Sequence, residues 1–244
     1  MRVNVYQVIS EADKNNTKFR DFNHATSYGE IDPSIYKCVF RGAVKAEDLE
    51  GVYEAFNLFN EGYIGTYQGH SLSISDVVEL EEDVVSERGE KTLKGCYFCD
   101  SVGFKNITFD ASKCVQMDGL RALMLLPGEK PIVTYVNDSL EYWQRAVGRP
   151  GEDSLMEITY PFDDTAVVVG NEEAKLIGME GNRRFGESIY AGPLYIINDN
   201  GRGGFYNLRD SQIEKYSKMF EQPEEITEEE VQKDCGFRIF GFNM

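Results

Sequence analysis

Leu120-Arg-Ala-Leu-Met-Leu-Leu126, followed by Pro127-Gly128 and then Pro131-Ile-Val-Thr-Tyr-Val136, is the stretch that decides the fold class. Two short apolar runs broken by Pro-Gly predict strand, turn, strand, because proline and glycine set the turn that the flanking residues cannot. Downstream, Asp138-Ser139 offers a cap for a helix carrying Leu140, Trp143 and Val147, which Gly148 and Pro150 end. Strands are expected at Leu155–Tyr160, Ala166–Val169 and Leu194–Ile197. Asp210 then caps a helix whose Ile213, Tyr216 and Phe220 face inward. Thr227-Glu-Glu-Glu230 fits a capping box, and Gly236–Phe242 reads as a short closing strand.

Upstream the pattern is similar. Val3, Val5 and Val8 lie in an alternating run, and Tyr36 to Val44 forms a second apolar run. Between Glu47 and Asn60, Leu49, Val52, Tyr53, Phe56 and Phe59 recur at helical spacing, predicting one buried stripe. Leu72-Ser-Ile-Ser75 alternates like a strand, and Tyr97–Cys99 with Phe104–Phe109 reads as a hairpin. The expected architecture is α+β: two small, closely packed α+β domains with mainly antiparallel sheets and a few amphipathic helices. The first spans 1–115 and the second 119–222, with a boundary at Cys114–Gly119. Residues 223–244 add an acidic helix and the short terminal strand.

Composition narrows the function. The 244 residues carry 25 Lys plus Arg against 42 Asp plus Glu, a net charge of −17. Such a chain is not expected to bind nucleic acid directly, since phosphate contacts need clustered cations. The longest apolar stretch, Ala122 to Leu126, is far short of the about 20 residues that span a bilayer. The N-terminus alternates like a strand and lacks the uncharged core of a secretory signal, so a cytoplasmic protein is expected. Five cysteines at irregular spacing argue against a disulfide framework.

Several motifs suggest chemistry. Gly69-His70-Ser71 resembles the start of a nucleophile elbow, but Ser73 stands where the second glycine belongs, and a turn with Ser75 or Asp76 capping the next element is the simpler reading. Cys96-Tyr-Phe-Cys99 can hold two corners of a structural zinc site, with Cys114 as third ligand and His70 or another residue as fourth. Two buried, unligated thiols, or one in and one out on a strand, fit the same spacing. Gly201-Arg-Gly-Gly204 lacks the spacing of a phosphate loop and reads as a hairpin turn. Asp163-Asp164 is the most localised carboxylate pair, and Gly181-Asn-Arg-Arg184 is a basic island suited to ion pairing or contact.

The acidity is clumped. Glu79, Glu81, Glu82 and Asp83 form one run; Glu224, Glu225, Glu228, Glu229 and Glu230 anchor another. DNA carries one charge per about 1.7 Å of axis, so spaced carboxylates can occupy a nuclease's basic groove. Opposite fields would speed that encounter and salt would weaken it. A solvated face that keeps the chain soluble is the plainer alternative.

Two sets of residues carry a resemblance. Val5-Tyr6-Gln7, Ala55-Phe56-Asn57, Gly69-His70-Ser71-Leu72-Ser73-Ile74-Ser75-Asp76-Val77-Val78 and Cys99-Asp100-Ser101-Val102-Gly103-Phe104 stand in the order of the YodL-like family, over about 3–110. Tyr160-Pro161-Phe162-Asp163-Asp164, Lys175-Leu176-Ile177-Gly178, Asn182-Arg183, Ile189-Tyr190-Ala191-Gly192 and Asp210-Ser-Gln-Ile-Glu-Lys-Tyr216 resemble Domain of Unknown Function 3846, over about 120–222. Neither resemblance brings a catalytic mechanism. Both imply the setting of conjugative elements and phages of Gram-positive bacteria, and with it a role against host defence. The expected function is therefore a non-enzymatic anti-defence protein that binds a basic host nuclease, such as Cas9 or a restriction enzyme, through the two acidic runs. A zinc-binding protein or enzyme centred on Cys96 and Cys99, or a conjugation accessory protein, is the alternative.

Overall fold

The computed structural model describes residues 1–57, 63–149, 152 and 154–235. The chain divides into two compact units, Met1–Gly119 and Leu120–Met244.

The first unit is built on an antiparallel sheet. Its elements are β1 (Arg2–Val8), α1 (Phe22–Thr26), β2 (Tyr36–Val44), α2 (Leu49–Ala55), β3 (Tyr63–Tyr67), β4 (Val77–Leu80), β5 (Val84–Val85), β6 (Lys91–Thr92), β7 (Gly95–Cys99) and β8 (Phe104–Ile107). The spatial order is β3-β2-β1-β4-β7-β8, with β5–β6 as a separate ribbon. Strand side chains alternate between faces. Val3, Val5, Val78, Leu80 and Tyr97 point to one face, where Val52, Ala55 and Phe56 of the α2 region cover them. Asn4, Tyr6, Glu79 and Cys96 occupy the other, as the pairs Asn4–Glu79 and Glu79–Cys96 show. There Phe109 packs on Tyr6 and Tyr36, with ring centroids 5.6 and 5.2 Å apart.

Two local expectations change. The stripe over 47–60 ends early, since α2 stops at Ala55; Tyr53 is exposed and Phe59 lies outside the described residues. Asp48 caps α2 by accepting from Gly51 N, and Tyr53 sits on the flank away from the sheet. Leu72-Ser-Ile-Ser75 is a turn and not a strand: pairing begins at Val77, because Ser75 adopts a φ of 79° that takes the chain out of extended conformation.

The second unit has β9 (Leu120–Leu125), β10 (Ile132–Val136), α3 (Leu140–Ala146), β11 (Met156–Thr159), β12 (Ala166–Asn171), β13 (Gly181–Phe185), β14 (Ser188–Ala191), β15 (Leu194–Asp199), β16 (Phe205–Tyr206), α4 (Asp210–Met219) and α5 (Glu228–Cys235). The main sheet runs β10-β9-β15-β12-β11, with β16 pairing β15, and β13–β14 is a separate ribbon. All pairings are antiparallel. Leu123, Leu125, Val168, Leu194 and Ile196 face Ile213, Tyr216 and Phe220 of the α4 region. On the opposite side the Trp143 ring of α3 lies 5.6 Å from Tyr195. With both faces covered, all six residues of β12 are buried, so the run lacks the alternation of a half-exposed strand.

The caps behave locally. Ser139 Oγ accepts from Tyr142 N at 3.2 Å. Arg209, not Asp210, is the N-cap of α4, with its backbone N–H donating to Gln212 Oε1 at 3.1 Å. Thr227 and Glu230 form the expected box: Thr227 N donates to Glu230 Oε2 at 2.9 Å and Glu230 N to Thr227 Oγ1 at 3.3 Å. The expected closing strand over 236–242 lies outside the described residues. No helix among the described residues is long and apolar enough to cross a membrane.

Candidate functional site

The first acidic run is partly consumed by its own unit. Glu79 accepts from Tyr6 Oη at 2.6 Å and Asn4 Nδ2 at 2.9 Å. Glu81 pairs with Arg2 at 3.0 Å and accepts from Asn4 at 3.2 Å. Asp83 pairs with Lys91 at 2.7 Å, and that ammonium holds its carboxyl below the ordinary carboxylate range. Glu82 is exposed and makes no ion pair or hydrogen bond among the described residues.

The second run divides in the same way. Arg184, from the basic island, bonds Glu224 at 2.9 Å and Glu230 at 2.8 Å. Glu228 accepts from Gln232, one turn along α5, at 2.9 Å. Glu225 and Glu229 are exposed without a cation beside them among the described residues. Of nine acidic contacts expected from sequence, Glu82, Glu225, Glu228 and Glu229 are thus the ones with carboxylates not bound to a cation or to a strand side chain.

The cysteines separate. Cys96 and Cys99 stand three apart on β7 and leave opposite faces. Cys96 shares its face with Glu79 and bonds the Phe109 carbonyl at 3.9 Å. Burial pushes the Cys96, Cys99 and Cys114 thiols up to about 12; at Cys114 the neighbouring Cys38 and Cys96 add to it. Among the described residues no group of three or more His, Cys, Asp or Glu is arranged to hold a metal ion.

The most unusual polar constellation joins β1 to the 69–76 turn. Gln7 is buried, and its Oε1 accepts from His70 N at 3.0 Å while Nε2 donates to His70 O at 2.7 Å and to Asp76 Oδ2 at 3.0 Å. Gly69 makes this approach possible: a Cβ there would meet Gln7 Oε1 at 2.4 Å. Asp76 Oδ2 also accepts from Ser73 N at 2.8 Å, whereas Oδ1 is buried without a hydrogen-bond partner among the described residues. Burial pushes the Asp76 carboxyl up to about 8, against the lowering effect of the Ser73 and Gln7 hydrogen bonds.

His70 Nδ1 lies 2.8 Å from the Ser71 carbonyl and 3.2 Å from Gln7 Nε2, the first contact calling for a proton on Nδ1 and the second for a lone pair. Among the described residues His70 Nε2 is buried without a hydrogen-bond partner, and Ser73 Oγ is turned to the Ser71 carbonyl at 2.8 Å. Among the described residues no hydroxyl is therefore bonded to Nε2 as in a Ser–His pair. Sequence reading offered Ser75 or Asp76 as a cap but gave Gln7 no role; the signal was an amide set among the apolar residues Val5, Tyr6 and Val8 of one strand.

The model of the YodL-like domain matches residues 2–109, and that of the domain of unknown function DUF3846 matches residues 120–221. The chain is a YodL-like domain followed by a DUF3846 domain. No curated protein and no solved structure matches it significantly. The Gln7–His70–Asp76 constellation thus belongs to the YodL-like domain. In the other half, the DUF3846 match includes the Arg184 ribbon and ends before Glu224 and α5.

Proposed function

We propose that the chain is a non-enzymatic anti-defence protein of a mobile element, acting in the cytoplasm of its bacterial host. It binds a basic host nuclease or effector complex of the Cas9 or restriction type and blocks nucleic-acid loading. The observation that carries this reading is the set of unneutralised carboxylates, Glu82, Glu225, Glu228 and Glu229, on a chain of net charge −17. Carboxylates bound at home to a cation or a strand side chain, such as Glu79, lose those bonds if a partner takes them, so the other four are the contacts, Glu228 giving up only its bond from Gln232. Two domains of the kind that recur in conjugative elements and phages supply the setting.

The test is capture of the tagged chain's partners from a Gram-positive host lysate, followed by a salt titration. A nuclease that leaves as salt rises, and whose cleavage the pure protein inhibits, is expected. Reversing Glu82, Glu225, Glu228 and Glu229 to lysine abolishes that inhibition; full inhibition by the reversed protein sinks the acidic-contact mechanism. Stoichiometric zinc in protein purified without added metal would instead favour the metal reading centred on Cys96, Cys99 and Cys114.

A further inference from the structure

Residues 224–235 lie beyond the DUF3846 match and pack onto the β13–β14 ribbon inside it. The apolar part of this contact is small and separate from the main core: Val231 and Ile226 of the segment meet Ala174, Ile189, Ala191 and Met179. The floor is cut for close approach. A Cβ on Gly181 would meet Ile226 Cγ2 at 2.5 Å and Val231 Cγ2 at 2.9 Å.

The polar part has a repeated form. On the β13 side, the Glu224 carboxylate takes Arg184 N at 3.0 Å and the Arg184 guanidinium at 2.9 Å. On the β14 side, the Asp234 carboxylate takes Ile189 N at 3.1 Å and Lys175 Nζ at 2.8 Å. Arg184 and Ile189 are paired across the ribbon, so their outward N–H groups lie on its two edges. Each edge therefore offers one carboxylate a backbone donor plus a cation, and the guanidinium takes a second carboxylate from Glu230 at 2.8 Å.

We propose that the face of the β13–β14 ribbon, with Gly181, Ile189 and Ala191 between Arg184 and Lys175, is a binding groove for short acidic amphipathic helices. The chain's own 224–235 segment fills it at rest, and a partner protein's helix of the same chemistry competes for it. The segment it recognises carries one aliphatic anchor just before its helix and one inside it, as Ile226 and Val231 stand to α5, flanked by carboxylates that reach both ribbon edges. This inference uses a different set of carboxylates from nuclease inhibition, Glu224, Glu230 and Asp234, although Glu225, Glu228 and Glu229 stand on the same segment.

The test uses the full chain and a fluorescein-labelled peptide of residues 222–235. In an unlatched chain, Ile226→Asp with Val231→Asp, the segment loses its anchors while the groove keeps every residue. The unlatched chain should bind the peptide at least tenfold more tightly than the wild type, and adding Arg184→Glu and Lys175→Glu should remove that gain. Equal binding by wild-type and unlatched chains, or binding indifferent to Arg184→Glu, overturns the proposal. If the unlatched chain does not fold, hydrogen exchange of the wild type decides. Amides of α5 should exchange at least a hundredfold faster than those of β12 and β15, and exchange of all three in one global event overturns the proposal.

Discussion

Gln7 Nε2 and Asp76 Oδ2, 69 positions apart in sequence, meet at 3.0 Å in the interior of the YodL-like domain. The contact binds β1 to the turn before β4 and leaves a carboxyl in a place where its charged form is poorly solvated. Asp76 ordinarily titrates near 3.8 and is raised by burial to about 8. Between those values the folded chain holds a proton that the unfolded chain has released. Stability from this group is complete below about pH 4 and is lost as pH rises through 8, by up to ~1.4 kcal/mol per pH unit.

Urea unfolding at a series of pH values measures this directly. The wild-type midpoint should fall between pH 5 and pH 8 more steeply than that of Asp76→Asn, which has no proton to lose. Parallel slopes for the two proteins would show that Asp76 is ionised in the fold.

Gln7 serves three neighbours, Tyr67, His70 and Asp76. Replacing it with alanine strands the His70 amide, leaves the His70 carbonyl to the Tyr67 hydroxyl alone and removes a donor from Asp76. A loss of ~2–4 kcal/mol is expected, from buried polar groups left without partners. Gln232→Ala, on the exposed side of α5, should stay within ~0.5 kcal/mol in the same denaturation experiment.

Thiol reactivity should report the burial pattern. Cys38, Cys96, Cys99 and Cys114 are buried, and Cys235 is half-exposed. A thiol raised to about 12 is almost wholly protonated at neutral pH, and the thiolate is the nucleophile. Under native conditions a maleimide should therefore modify Cys235 rapidly and the other four only on unfolding. Rapid native labelling of Cys96 or Cys99, read by peptide mass, would contradict the packing of β7.

In the DUF3846 domain, Asn198 and Gln212 exchange amide hydrogen bonds at 2.9 and 2.8 Å in the interior. Asn198 also holds the Asn207 carbonyl at 2.8 Å, linking β15 to the approach to α4. Alanine at either position should cost ~1–3 kcal/mol. The double variant should fall short of the sum by ~0.5–3 kcal/mol, because the second change removes a partner already lost. Strict additivity in a double-mutant cycle would mean that the pair does not act as a unit.

Much of the fold was legible from local pattern. Tyr36–Val44 coincides with β2, and Leu120 to Val136 contains the β9–β10 hairpin. Ser139 and the Thr227–Glu230 box cap the helices they precede, since a cap needs only residues within a turn of one another. Leu72–Ser75 misled because alternation describes side chains, whereas the φ of 79° at Ser75 is imposed by its setting: its carbonyl accepts from Tyr36 Oη and its hydroxyl from Phe19 N. The CxxC spacing likewise could not say whether strand pairing would send Cys96 and Cys99 to the same or to opposite faces until β7 was an established strand.

Sequence alone determined that this chain forms two α+β units of antiparallel strands, for hydrophobic period, turn residues and caps are properties of neighbours along the chain. Only the tertiary structure decided which polar groups meet. That β1 lies between β2 and β4 brings Gln7 to Asp76 and Tyr6 to Glu79, and the β13–β14 ribbon brings Arg184 to Glu224 and Glu230. Those pairings follow from strand order and burial, which sum over the whole chain, and they decide which of its many carboxylates are spent internally and which face outward.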